Sequence, residues 1–150
     1  MTTPNASETN PGATAPVTGL NEFRPRISHV SYHVADIDRA LAFYVGVLGL
    51  QEQLRLQLCG GLHEVVLGFP QSKGSGVILM WHTERTKPYQ LGDGYSRLII
   101  SVSDIAASVK HVESAGAPIV TPITDAGSLK YAMIKDPDGY VIELLEMKRA

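Results

Sequence analysis

The sequence predicts an α+β fold made of two βαβββ units. Three observations carry this. A strand-then-helix pattern occurs twice: residues 97–105, RLIISVSDI, lie over residues 29–37, HVSYHVADI, 68 positions earlier. Each copy continues into an acidic helix cap, Asp36 in the first and Asp104 in the second. Each half also ends in an apolar strand, VILMW at 77–81 and VIELL at 141–145. Duplicated units of this length bury little core alone, so the halves must pack on each other or on a second chain.

The elements follow in order. Side chains alternate along a strand, so Ile27, His29, Ser31 and His33 share one face and Ser28, Val30, Tyr32 and Val34 the other. Asp36 can accept the free N–H groups of the first helical turn. Ile37, Leu41, Tyr44, Val45 and Leu48 recur with helical period, and Gly49 supplies the left-handed residue that ends the helix. Residues 51–58 alternate polar and apolar, as a half-buried strand does. Cys59-Gly60-Gly61 turns the chain into a strand over 62–69, and the loop 70–76 leads to a strand at 77–82. A polar linker, 83–94, joins the halves (about 27–90 and 95–147). The second half predicts a strand at 95–102, a helix from Asp104 to Ala115 stopped by Gly116, and strands at 117–121, 130–135 and 140–146. The turn Asp136-Pro137-Asp138-Gly139 precedes the last of these.

Composition narrows the function. Thirteen basic and 15 acidic residues leave a formal charge of −2 with no basic run, so nucleic acid has no electrostatic footprint. No apolar run reaches membrane-spanning length. A single cysteine, Cys59, suits a reducing compartment and a cytoplasmic location. Residues 1–26 fall outside the domain assigned to 27–150. They read as a disordered tail: Met1 to Glu22 is rich in Thr, Pro, Asn and Ala and has neither the basic start nor the apolar core of a signal peptide.

Three segments, SHVSYHVADIDRALAFYVGVLGL, YQLGDGYSRLIISV and KDPDGYVIELLE, resemble the vicinal oxygen chelate superfamily. This is the fold of glyoxalase I, extradiol dioxygenases and bleomycin-resistance proteins, and glyoxalase I is the nearest likeness. The resemblance implies that the two units, related by a pseudo-twofold axis, curl their sheets around a cavity, and that four side chains pointing into it bind a divalent metal; they fall on His29, Leu79, Arg97 and Glu143. His29 and Glu143 are metal-ligand types. Leu79 coordinates nothing, and Arg97 is a permanent cation. A catalytic metal usually keeps three protein ligands, so the implied metal site is incomplete. His33 shares the His29 face but sits roughly 13 Å along the strand at ordinary rise. His82, three residues past Leu79, is expected on the opposite face, and His63 is left unassigned.

The resemblance also implies glutathione-binding positions, which fall on His33, Thr83 and about Asp125. None is a permanent cation, so a glutathione-dependent glyoxalase I is not expected. The expectation is instead a lyase or isomerase on a small enolisable carbonyl compound, anionic or aromatic. Glu143 would be the base, with His29 and Arg97 on the developing oxyanion and His33, Trp81, Tyr95 and Tyr131 around the ligand. Two alternatives stand beside it. One is a metal-free module that sequesters a small molecule, which would not need His29 and Glu143. The other is an extradiol dioxygenase, whose second histidine Arg97 replaces. Each half is expected to expose a sheet edge and an apolar concave face, which the resembled proteins cover by dimerising, so the resemblance implies a homodimer with its cavities at or near the interface.

Overall fold

The computed structural model describes residues 24–148. Of the tail expected over 1–26, residues 1–23 lie outside them. The first half runs β1 (His29–His33), α1 (Ile37–Tyr44), β2 (Gln51–Gln57), a short 3-10 turn (Cys59–Gly61), β3 (Leu62–Gly68) and β4 (Gly76–His82). The second runs β5 (Leu98–Ser101), α2 (Ile105–Ser114), β6 (Ile119–Asp125), β7 (Leu129–Lys135) and β8 (Val141–Met147). Each half forms a four-stranded mixed sheet, in the orders β1-β4-β3-β2 and β5-β8-β7-β6. In both, the first strand pairs parallel with the last. The repeat therefore places 29–33 and 98–101 in equivalent strands, and the two sheets do not close on each other.

Local chemistry explains the helices. The Asp36 carboxylate accepts the Arg39 N–H at 3.0 Å, and Asp104 accepts that of Ala107 at 2.9 Å. Gly49 and Gly116 end the two helical segments with φ of 81° and 83°, where a Cβ would be strained. The buried stripe of α1 is Ala40, Phe43 and Tyr44 rather than one that includes Val45, which is 40% exposed. Regular helix stops at Tyr44, and the Gly46 and Leu48 N–H groups reach back five residues to Leu41 and Phe43. That wider turn rotates Val45 outward. No helix among the described residues is long and apolar enough to cross a membrane.

The core joins the halves: Tyr32, Val34, Tyr44, Val65, Leu67 and Leu79 of the first pack in one cluster with Ile134, Tyr140, Ile142 and Leu144 of the second. A buried hydrogen-bond chain runs through it. Tyr32 Oη donates to Tyr44 Oη at 2.8 Å, and Tyr44 Oη donates to Asp136 Oδ2 at 2.9 Å. Asp136 Oδ1 accepts the N–H groups of Asp138 (3.0 Å) and Tyr140 (2.8 Å). The same turn reaches β1, where Tyr140 Oη donates to the His33 carbonyl at 2.8 Å and Asp138 accepts the Ala35 N–H at 3.0 Å. Burial pushes the Asp136 carboxyl above its ordinary range, although the Tyr44 hydroxyl and the Tyr140 N–H hold it down.

Removing the Tyr44 hydroxyl leaves Asp136 Oδ2 buried without its donor. Tyr44→Phe should cost about 1–3 kcal/mol, read in urea as a lower midpoint at unchanged slope. The pH dependence has a definite sign. A carboxyl raised by folding adds stability that is fully present below its unfolded pKa and is lost as pH rises through its folded pKa. Tyr44→Phe removes a group that lowers the Asp136 pKa, so denaturation followed from acid to neutral pH should show a steeper loss in the variant.

Candidate functional site

The strand register decides which side chains share the open face, the one turned away from the core. In the first half Val30 lies beside Val77, Ser31 beside Ile78 and Tyr32 beside Leu79. In the second, Leu98 lies beside Ile142 and Ile99 beside Glu143. Since Leu98 repeats Val30, the counterpart of Glu143 is Ile78, not Leu79. Leu79 corresponds to Leu144 instead, and both are core residues, 0% and 2% exposed. The expectation at 79 is corrected by one residue. The chemical outcome stands, because Ile78 is also aliphatic.

The same shift moves His82. It lies on the face of Ile78 and Met80, opposite to expectation, and so shares that face with His29 and His33. The His33 and His82 rings lie 6.1 Å apart and nearly parallel. Tyr89 stacks on His33 at 4.9 Å, and the Arg85 guanidinium covers Tyr89 at 3.7 Å. His33 Nδ1 and Tyr89 Oη are buried with no hydrogen-bond partner among the described residues. Burial lowers the His33 pKa, and neighbouring His82 and Arg85 lower it further. Tyr89 and Arg85 were not singled out from the sequence. They sit in a polar linker with no periodicity, and only its fold back onto β1 brings them to His33.

At the other end of β1, His29 lies across from Gly76. A Cβ at Gly76 would run into the Leu67 carbonyl, so a side chain there is excluded. His29 Nδ1 bonds Ser28 Oγ, and the Ser28 hydroxyl donates to the Gly74 carbonyl at 3.3 Å. With its proton so engaged, Ser28 Oγ accepts from Nδ1–H. That tautomer leaves Nε2 with a lone pair, and Nε2 is buried without a partner among the described residues. His29 also borders a cavity of about 880 Å³ between the halves, lined further by Val30, Phe69, Ile99 and His111 but not by Arg97 or Glu143.

Arg97 and Glu143 meet on the open face of the second half. Arg97 Nε forms an ion pair with Glu143 Oε2, and Arg97 Nη1 donates to Ser96 Oγ at 3.2 Å. The Glu143 side chain is 7% exposed and that of Arg97 40%. Tyr131 and Met133 of β7 flank this pair, paired with Leu145 and Glu143 respectively. The other aromatic candidates lie elsewhere. Trp81 shares the core side of β4 with Leu79, stacks on His63 at 4.8 Å and lies under the Arg55 guanidinium at 5.8 Å. Tyr95 Oη donates to the Val141 carbonyl at 3.0 Å, and its ring packs edge-on against Tyr32 and Tyr140. Both belong to the packing of the molecule rather than to the open face.

A divalent metal does not fit these residues. Among the described residues no group of three or more His, Cys, Asp or Glu side chains gathers to hold one. Of the four positions the repeat makes equivalent, one is Ile78 and one is a guanidinium already bound to the sole carboxylate, Glu143.

The comparisons with known proteins agree with the fold and correct the function. Residues 26–144 match the sequence model of the Glyoxalase/Bleomycin resistance protein/Dioxygenase superfamily. The chain belongs to that superfamily. It is 33% identical over 131 residues to a "Probable lactoylglutathione lyase" of Vibrio parahaemolyticus, covering 83% of this chain and 93% of the relative. It is 30% identical to a lactoylglutathione lyase of Arabidopsis thaliana over 81% of its length, though it spans only 44% of that longer protein. The trypanothione-dependent glyoxalase I of Leishmania major superposes with a TM-score of 0.72 at 28% identity, covering 81% of this chain and 86% of that one.

The expectation that this is not a glutathione-type glyoxalase I is therefore overturned. Its physical basis was also partly misplaced. The one-residue correction from 79 to 78 also moves the second expected glutathione position from Thr83 to His82, which faces His33 beside Arg85 and Tyr89. Asp125, the third position, is not a bare acid either: Lys148 Nζ bonds both its oxygens at 2.7 Å.

An NMR titration of His33 tests the charge pattern of this cluster. The ring should titrate below the ordinary imidazole value of about 6.5, and Arg85→Gln should move it back upward. An unchanged value in the variant would show that Arg85 exerts no field at His33.

Proposed function

We propose that the chain catalyses a glyoxalase I-type reaction, the isomerisation of the hemithioacetal of glutathione and a 2-oxoaldehyde to a 2-hydroxyacyl thioester. The identity to lactoylglutathione lyases over more than four-fifths of the chain carries this reading. The site supplies a matching proton carrier. Glu143 is buried, one of its oxygens is held by Arg97, and Oε1 has no hydrogen bond among the described residues. A carboxylate so held can take a proton from one substrate carbon and return it to the next.

The thiol portion of the substrate is an anion, and the cluster of His33, His82, Arg85 and Tyr89 gives it positive or hydrogen-bonding partners on the same open face as His29. Tyr131 forms part of the wall around Glu143. We further propose a homodimer. Leu54 and Leu56 on the open face of the first sheet are 49% and 38% exposed, and Ile99 and Met147 on that of the second are 51% and 60% exposed. A partner laid across these apolar faces would bring the first half of one chain against the second half of the other.

Methylglyoxal mixed with glutathione and the protein should yield thioester, followed by its ultraviolet absorbance. Glu143→Gln should lower kcat by at least ~100-fold while far-ultraviolet circular dichroism stays unchanged. No thioester from the parent chain, with or without added divalent metal, would refute the reading. Light scattering at micromolar protein should report twice the chain mass, and a monomer would refute the dimer.

A further inference from the structure

We infer that Arg97 takes the place of a divalent metal in this site, so that the resident cation is a guanidinium fixed to Glu143. The inference deepens the proposed reaction and rests on that reading. Four observations support it. Arg97 stands one residue before β5, at the position the repeat makes equivalent to His29 before Val30. Its Nε is bound to Glu143, so the carboxylate a metal would use is already neutralised. Ile78 fills the place where a second carboxylate would complete a ligand set. A guanidinium cannot lose its proton to become a donor, and it repels any dication brought to Glu143.

The geometry also suits the reaction. Arg97 Nη2 makes no hydrogen bond among the described residues, and the side chain is 40% exposed. It can donate to a substrate oxygen while Nε keeps Glu143 in place. In the step itself, Glu143 Oε1 takes the proton from C1 of the hemithioacetal. The C–H electron pair forms a C1–C2 double bond, and the carbonyl pair moves onto the C2 oxygen, where the guanidinium stabilises the negative charge. The proton returns from Glu143 to C2, and the C1 hydroxyl proton passes through water to the C2 oxygen. C1 is thereby oxidised to the thioester and C2 reduced to the alcohol, with no outside oxidant or reductant.

Calorimetric titration with Zn²⁺ and Ni²⁺ tests the cation directly, on the parent chain and on Arg97→His. The parent should show no stoichiometric binding at submicromolar affinity, and Arg97→His should bind at least ten-fold more tightly. One metal per parent chain at that affinity would overturn the inference, as would equal affinity in the two proteins. The parent titration decides even if the variant does not fold. With glutathione hemithioacetal, excess chelator should leave parent turnover unchanged. Arg97→Gln should lower kcat far more than it raises KM. Turnover abolished by chelator and restored by metal would overturn the role given to Arg97. A parent chain inactive under every condition would instead overturn the assigned reaction, and the titration would still decide whether Arg97 excludes the metal.

Discussion

The buried carboxylate of Asp136 is the constraint on which the rest of the structure depends. It is 4% exposed and is tolerated only because Tyr44 and two backbone N–H groups of its own turn point at it. Tyr44 comes from α1 of the first half and the turn from the second. The acid therefore fixes how the halves meet. Through Tyr140 and Asp138 the same turn grips the end of β1 at His33 and Ala35. Because β8 begins at the next residue, Val141, one local network positions both His33 and the strand that carries Glu143.

With that frame set, the open faces carry the chemistry and divide it. The first half presents imidazoles each with a buried nitrogen that has no partner among the described residues, His29 Nε2 and His33 Nδ1. The second presents an acid and a base already joined, Glu143 and Arg97. A buried nitrogen without a partner is costly unless something occupies it part of the time. A half-exposed guanidinium with donors to spare is a ready partner for oxygen anions. The two halves began from one pattern and now hold complementary groups, which is why the site cannot be inferred from either repeat alone.

Much of this was legible in the sequence. The caps at Asp36 and Asp104, the positive-φ glycines at 49 and 116 and the repeated strand–helix pattern all act locally, and all appear where the chain says. Other features are not local. β6 continues through Pro122 to Asp125, past the expected end at 121, because it is an edge strand with register shifts, where proline is tolerated. The face of each β4 residue depends on its pairing with β1, and counting from the wrong residue reversed the faces assigned to Leu79 and His82. Trp81 and Tyr95 read as pocket aromatics by type, yet packing against His63 and Tyr140 drew them elsewhere. Arg85 and Tyr89 gave no signal, since a polar linker carries no period from which a facing can be counted.

The register of β4 has a consequence for anyone who would rebuild the chain by aligning its halves as text. Setting VILMW against VIELL invites a glutamate at Leu79. That position is fully enclosed among Tyr32, Val65 and the core, and an acid there would be stranded in hydrocarbon with nothing to bind it. One residue earlier, at Ile78, the same glutamate would stand on the open face beside Ser31 and Val66. A single step along one strand thus separates a glutamate set on the open face from one that breaks the scaffold meant to hold it.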